Sequence, residues 1–293
     1  MAAKVLVTGC NGLLGTELVN ALSAEYDVTG IDLREVDIVD PVVVRSFMQQ
    51  TRPEIVTHAA AYTDVDGCES NRDLAMSVNG DGTKNVAMAC REIGAKLIYF
   101  STDYVFNGKK DSAYLETDKP NPVTIYGQSK LAGERAIADT TDNFVIMRIA
   151  WLYGAHGKNF VKTMLRLGQA QIEAKQAGKM TDPLKVVNDQ IGNPTWTADI
   201  ARQIELLIGS DVTGLFHATS EGECSWYEMT RQLFRLRSMD VDLLPCKTEE
   251  FPRPAPRPAR SSLENQRLKQ LDLNRMRPWA EALEEFLRKV EDV

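Results

Sequence analysis

The sequence predicts an α/β protein: a Rossmann-type doubly wound parallel sheet with a smaller mixed α/β substrate-binding region. Three observations predict it. Short apolar runs alternate with helical stretches through the first half of the chain. A glycine turn, Gly9-Cys10-Asn11-Gly12-Leu13-Leu14-Gly15, lies between the first run and the first helix. Polar segments that carry chemistry then fall where later strands end. Strands alternating with helices of about 10–15 residues build a parallel sheet covered on both faces, and ligands of such sheets bind at the strands' carboxyl ends.

Taken in order, 4–8 reads as a strand, 13–22 as a helix and 27–31 as a second strand. A helix over 42–50, a strand over 55–58 and one long helix over 75–93 follow. Then come a strand over 97–101, a helix over 125–138 and a strand over 144–149. Beyond Trp151 the pattern loosens. The stretch 170–182 is polar, an exposed helix extension or a mobile loop. Residues 186–188 read as another core strand, 198–208 as a helix returning to the first domain and 215–218 as a further strand. The run Phe251-Pro-Arg-Pro-Ala-Pro-Arg-Pro258 cannot be helix interior, because each proline fixes φ and removes a donor, so it crosses the surface extended. The expected division is a dinucleotide-binding Rossmann domain over 1–152, completed by about 184–212. The substrate-binding region, 153–183 and 213–293, is interleaved with it.

Composition removes several function classes. With 293 residues and 43% hydrophobic content the chain has a globular core. A net charge of −7 argues against a nucleic-acid surface or polybasic membrane contact. No apolar run approaches the ~20 residues a membrane span needs, and the start of the chain reads as a strand, not a secretory signal. Five scattered cysteines without CxxC spacing fit reduced thiols of a cytoplasmic protein, and three histidines leave little material for a metal site.

Gly9, Gly12 and Gly15 follow a strand and open a helix, as backbone approach to a pyrophosphate requires. Asn11, Leu13 and Leu14 share that turn. The spacing Gly-x-x-Gly-x-x-Gly only approximates the commoner fingerprint. Asp32 ends the second strand, where a carboxylate binds adenosine ribose hydroxyls and favours NADH. Arg34, two residues on, suits a 2′-phosphate and favours NADPH. The cofactor, NADPH or NADH, stays open at this point. Asp37 and Ile38 are placed to frame the adenine, and Ala59, Ala60, Ala61 and Tyr62 lie where backbone passes the cofactor.

Tyr126 and Lys130 are four residues apart, so a helix sets both on one face. An unperturbed tyrosine holds its proton to a pH near ~10. A neighbouring ammonium stabilises the phenolate and makes Tyr126 a better acid, and Lys130 also holds the nicotinamide ribose. The Thr102 hydroxyl, at the end of the preceding strand, donates to a carbonyl oxygen as charge develops on it. Asn79, on the long helix before, supports Lys130 through a water or is an ordinary helix-surface asparagine.

These residues resemble the extended short-chain dehydrogenase/reductase superfamily over nearly the whole chain. A narrower resemblance, to the dTDP-4-dehydrorhamnose reductase family, rests on four segments: Ala59-Ala-Ala-Tyr-Thr-Asp-Val-Asp66, Ser101-Thr-Asp-Tyr-Val-Phe106, Val187-Asn-Asp-Gln-Ile-Gly-x-Pro-Thr195 and Arg257-Pro-x-x-Ser-x-Leu263. It implies reduction of the C4 ketone of a dTDP-4-dehydro-6-deoxysugar, with Tyr126 protonating the new alkoxide and Lys130 tuning Tyr126. It implies sugar contacts from Thr102 and Asp103, with Val105 and Phe106 on the substrate side, and a pocket wall from Trp151. Arg257 either meets the nucleotide diphosphate or is a solvated loop arginine. The resemblance also leaves open a homodimer, with Glu17 a position for a bridging ligand, although the sequence establishes no metal. The stretch 169–182 is longer than the resemblance leads one to expect. A related 4,6-dehydratase would carry an Asp-Glu pair after the threonine; here Tyr104 follows Asp103, so elimination is disfavoured. Epimerases and a reductase-like regulatory subunit that binds nucleotide without turnover are the remaining alternatives.

Overall fold

In the computed structural model, which describes residues 2–290, every strand of the main sheet is parallel to its neighbours. The first half contributes β1 (Lys4–Thr8), α1 (Leu13–Leu22), β2 (Asp27–Ile31), α2 (Pro41–Thr51), β3 (Ile55–His58), α3 (Val65–Ser70), α4 (Arg72–Met76), α5 (Thr83–Ile93), β4 (Lys96–Thr102), α6 (Ile125–Ala138) and β5 (Phe144–Ile149). The second half contributes β6 (Leu152–Tyr153), α7 (Phe160–Gln176), β7 (Leu184–Val187), β8 (Ile191–Gly192), β9 (Thr195–Trp196), α8 (Thr197–Ile208), β10 (Gly214–His217), β11 (Cys224–Ser225), α9 (Trp226–Leu236), β12 (Leu243–Cys246), α10 (Gln266–Gln270) and α11 (Trp279–Lys289). The six-stranded sheet runs β10-β5-β4-β3-β1-β2. The chain reverses direction across the sheet between β1 and β3, so a crevice opens there at the carboxyl ends.

The central strands form because both their faces are covered. Val5, Leu6 and Val7 are buried, as is the whole of β3 and β4, which explains runs of apolar residues in place of alternation. Val5, Val7, Leu14, Leu18 and Ile204 share one core with Phe216, on the face that α1 and α8 cover. Leu6, Val44, Val56, Val86, Leu97 and Ile146 share a second core beneath α2 and α5. Helix starts carry their own chemistry. Asp40 caps α2 with Pro41 in its first turn, Thr124 caps α6 through the Gly127 amide, and Ser225 with Glu228 closes a reciprocal cap on α9.

A third core, built from Val161, Leu165, Leu233, Leu283 and Phe286 among others, belongs to the smaller region of α7, α9 and α11. Its boundary differs from the sequence expectation in two places. Residues 184–187 do not complete the Rossmann part, because β7 pairs in parallel with β12 in a separate two-stranded sheet. Residues 214–217, assigned to the substrate region, instead supply the edge strand β10 beside β5. Both errors have one cause: short apolar strands state that they pair but not with which partner. The helix over 160–176 ends at Gln176, and its buried Gln171 bonds the Asp182 and Asp242 carbonyls at 3.1 and 3.2 Å, which moors the turn after it.

The expected helix over 75–93 is interrupted. Ser77–Gly82 forms a π-helical turn between α4 and α5. Single wide turns of this kind occur inside α-helices, and this one carries the buried Asn79. The proline-rich stretch is also more than a surface crossing. The Ser261 amide bonds the Ile191 carbonyl at 2.8 Å, and Tyr114 donates to the Ser262 carbonyl at 2.8 Å, so the strap is stitched to both regions. Asn193 is the buried junction: it donates to the Ser220 and Gly222 carbonyls at 3.3 and 2.7 Å and accepts the Leu263 amide at 2.7 Å. Asn193→Ala strands these groups, which should cost about 2–4 kcal/mol. Urea unfolding midpoints of variant and parent measure the loss, and equal midpoints would refute the junction role.

Candidate active site

A cleft of about 760 Å³ follows the carboxyl edge of the sheet from Asp32 to Trp226. At its first end, Gly9 takes φ +69°, and a Cβ there would lie 2.7 Å from the Ala60 amide nitrogen. Only glycine satisfies both the left-handed backbone and the close approach. A Cβ on Gly15 would lie 2.0 Å from the Gly9 carbonyl oxygen, so α1 presses directly on the turn. The α1 N-terminus has no side-chain cap and no acidic residue in its first turn, which leaves its amides and positive dipole end free for an anion. These features fit a dinucleotide pyrophosphate.

Asp32 closes that end. Its carboxylate accepts the Asn11 amide at 3.1 Å and its own Leu33 amide at 2.8 Å, which fixes its position beside the turn. Leu33, Val36, Asp37 and Ile38 continue the wall on this side, and Ala59, Ala60, Ala61 and Tyr62 form the facing one. Beneath them His58 is fully buried between the Thr8 and Thr83 hydroxyls at 2.7 and 3.2 Å, and burial, with Lys130 nearby, pushes its pKa down to about 3. It is a neutral packing group that carries no proton to the site.

The far end holds Thr102, Asp103, Tyr104, Tyr126 and Lys130. The Thr102 hydroxyl donates to Asp103 Oδ1 at 2.9 Å, and the Tyr104 amide donates back to it at 3.2 Å. Asp103 is almost fully buried, and its Oδ2 has no hydrogen-bond partner among the described residues. Burial raises its pKa to about 6, an effect that the Ser261 and Thr102 hydroxyls only partly offset. Tyr126 packs edge-on against Tyr104, and burial followed by the Asp103 charge holds its phenol well above the ordinary value. Lys130 is 3% exposed, and its Nζ lies 4.1 Å from the centroid of the Tyr99 ring. Burial pushes its pKa down to about 7 against the pull of Glu134. Burial first, then Asp103 and Thr102, therefore govern the phenol, whereas the sequence expectation made Lys130 its chief influence.

Trp151 and Trp226 form the outer wall. Their rings stack 3.5 Å apart at 5°, with Phe160 against the far side of Trp226. Trp151 holds φ +48°, and its ring fills the space a side chain on Gly192 would need. Gln190 accepts the Trp226 indole N–H at 3.2 Å. Opposite, the strap brings Arg257, Pro258 and Ser261 to the cleft. Arg257 is no free loop arginine: it pairs with Asp66 at 2.8 Å, and Asp66 also accepts the Ala255 amide at 3.1 Å.

Several expected site residues fall elsewhere. Val105 and Phe106 are fully buried in a small core with Tyr114, Leu131 and Leu263, and Phe106 stacks on Tyr114, so neither reaches a substrate. Asn79 also lies off the cleft. Its amide group bonds both Tyr62 backbone atoms, at 2.8 and 3.0 Å, and the Ser129 hydroxyl at 2.9 Å. It thus ties the Ala59–Tyr62 wall of the cleft to α6 and makes no direct bond toward Lys130. Asn11 and Arg34 are exposed beside the turn and do not line the cleft. Trp226 and Gln190 were missed as wall residues. Gln190 sits inside a segment already marked by resemblance, but nothing local distinguishes Trp226 from a core tryptophan. Among the described residues no three His, Cys, Asp or Glu gather as a metal site, and Glu17 accepts the Thr197 hydroxyl at 3.3 Å. Nor is any helix of those residues long and apolar enough to cross a membrane.

A family model described as RmlD substrate binding domain matches residues 3–292. The chain is 42% identical over 288 residues to a dTDP-4-dehydrorhamnose reductase of Streptomyces griseus, covering 96% of this chain and 91% of the relative. It is 40% identical over 287 residues to the spore coat polysaccharide biosynthesis protein SpsK of Bacillus subtilis, covering 98% and 97%. The crystal structure of dTDP-4-dehydrorhamnose reductase from Bacillus anthracis in complex with NADP superposes with a TM-score of 0.93 at 41% identity, covering 99% of this chain and all (100%) of that one.

Asp103 gives the site a pH signature. Its folded pKa of about 6 lies above the ordinary 3.8. Its contribution to stability is therefore full below about pH 3.8 and lost as pH rises through about 6. Asp103→Asn removes the buried charge. Its melting midpoint relative to the parent should climb by roughly 5 °C between pH 4 and pH 8. Thermal melts at the two pH values test this, and a constant difference would reject it.

Proposed function

The chain belongs to the family described as RmlD substrate binding domain, and from that premise we propose that it reduces the C4 ketone of dTDP-4-dehydro-L-rhamnose to dTDP-L-rhamnose with NADPH or NADH. One observation carries the reading. Thr102, Asp103, Tyr126 and Lys130 converge at one end of the same cleft whose other end is the glycine turn. A dinucleotide seated with its pyrophosphate at that turn has the length of the cleft in which to reach them.

The glycine turn and Asp32 would hold a nicotinamide dinucleotide, whose chemistry would be to supply a hydride to the carbonyl carbon. The chain's own groups hold the substrate and manage the proton. The Thr102 hydroxyl and the Tyr126 phenol donate to the ketone oxygen, and Tyr126 surrenders its proton as alkoxide character develops. A phenol whose pKa is raised by a dry site holds that proton until a stronger base forms beside it. Lys130 then supplies the positive charge that stabilises the phenolate left behind. The unpartnered Asp103 Oδ2 accepts a sugar hydroxyl, which gives the buried atom the partner it lacks. Trp151 and Trp226 offer an apolar face to the sugar ring. Arg257, on the strap above, serves the diphosphate.

Elimination of water is not supported, because Asp103 is followed by Tyr104, which packs edge-on against Tyr126 and offers no second carboxyl. Asp32 sits where it can bond ribose hydroxyls, and Arg34 is exposed close by, so the site accommodates either dinucleotide.

The test is NADPH and NADH oxidation by the purified protein, with the keto sugar generated enzymatically in place. Oxidation should depend on the keto sugar and yield dTDP-L-rhamnose; cofactor binding without turnover would move the chain to a non-catalytic nucleotide-binding role. Tyr126→Phe should lower kcat by about 10²–10⁴-fold with cofactor affinity nearly intact, and undiminished turnover would remove it as proton donor. Asp32→Ala should weaken NADH by roughly tenfold and NADPH less, as read by fluorescence titration. A uniform loss would argue against ribose recognition.

A further inference from the structure

Behind the catalytic face lies a buried polar cluster that the reduction as described does not use. Glu134 stands one helical turn beyond Lys130 on the same side of α6 and is 5% exposed. Its carboxylate accepts Arg148 Nε at 2.9 Å and Nη2 at 2.7 Å, and the Ser101 hydroxyl at 2.5 Å. Arg148, 2% exposed on β5, also meets His217 Nε2 at 3.5 Å. The His217 Nδ1–H donates to the Tyr114 and Glu264 carbonyls at 3.1 Å, and that ring is a neutral acceptor toward Arg148. The cluster thus joins α6, β4 and β5 immediately below Thr102, the neighbour of Ser101.

A buried ion pair is a poor device for stability alone, because desolvation consumes most of the attraction and apolar residues of like volume do as well. Its position suggests another use. Lys130 lies in a nearly dry site, on the Tyr99 ring from β4 and facing the neutral His58 from β3. Tyr126 and Glu134 flank it on α6, while the Asp103 carboxyl faces Tyr126 from the end of β4. Of these groups, Glu134 is the anion that favours the charged lysine.

We propose that Glu134 is a positioning residue for the reduction: fixed by Arg148 and Ser101, it keeps Lys130 cationic and sets the height of α6 against Thr102. The inference rests on the reductase reading, in which a charged Lys130 serves the phenolate. Neutral Lys130 would leave the phenolate unsupported, so loss of the Glu134 charge brings the alkaline limb of the reaction to lower pH.

The test uses the whole 293-residue chain with ¹³C-labelled lysine, following the Lys130 Cε resonance across a pH titration and assigning it by its absence in Lys130→Arg. Glu134→Gln should lower the Lys130 midpoint by about one pH unit. Glu134→Asp should restore most of it, and the alkaline limb of NADPH oxidation should move in step. A purely structural Glu134 would lower the melting midpoint and leave the lysine midpoint in place, which overturns the proposal. Should Glu134→Gln fail to fold around the stranded Arg148, the double variant E134Q/R148M leaves no unpaired buried charge and must still lower the midpoint. An unchanged midpoint there refutes the role. If the midpoint falls but the parent turns over no keto sugar, the charge-setting role stands and the reductase reading falls. If turnover is present and the midpoint is fixed, the inference alone falls.

Discussion

The site depends on one steric constraint, the contact between the Gly9 turn and the Ala60 backbone at the point where the sheet changes direction. A parallel sheet puts every strand's carboxyl end on one side, and a reversal of strand order between β1 and β3 leaves a gap between the loops that follow them. The gap becomes a cleft because the turn after β1 lies flat against the loop after β3, at a distance no side chain permits. The rest is arranged around that opening. The α1 N-terminus points into it from one side, and the ends of β4 and β5 deliver Thr102 and Trp151 from the other.

The smaller region completes the cleft by long-range ties more than by apolar packing alone. The proline-rich strap cannot form ladder or helix bonds of its own at its prolines, so its order comes from what it touches. Asp66 holds Ala255 and Arg257, Ile191 holds Ser261, and Asn193 holds Leu263. These ties bring the strap over the reacting end and set Ser261 beside Asp103. The tryptophan stack is similarly built from distant parts, since Trp151 follows β5 while Trp226 opens α9 and is held by Gln190 from the segment before β8.

Dryness then gives the residues their chemistry. The same burial raises the Asp103 carboxyl and the Tyr126 phenol and lowers Lys130 and His58. In each case burial disfavours the charged form, and neighbouring charges only modify that effect. The ion pair of Glu134 with Arg148 is the exception, a pair of full charges kept within the fold directly behind the lysine.

The sequence by itself determined the five first-half strands and the helices α1, α2 and α6 between them, the glycine turn and the common face of Tyr126 and Lys130, but not α3 or the break between α4 and α5. Each is a property of a short segment: apolar runs, dihedral demands that only glycine meets, and the 3.6-residue period. Tertiary structure alone decided which residues of a marked segment face the cleft. Thr102 and Asp103 do, while Val105 and Phe106, in the same six residues, turn into a core made with Leu131 and Leu263. It also decided that Asn79 braces Tyr62, that β7 pairs with β12, that Trp226 meets Trp151 and that Arg257 answers to Asp66. These facts rest on contacts between segments tens to hundreds of residues apart, and side-chain type in a local window carries no record of the partner that packing will supply.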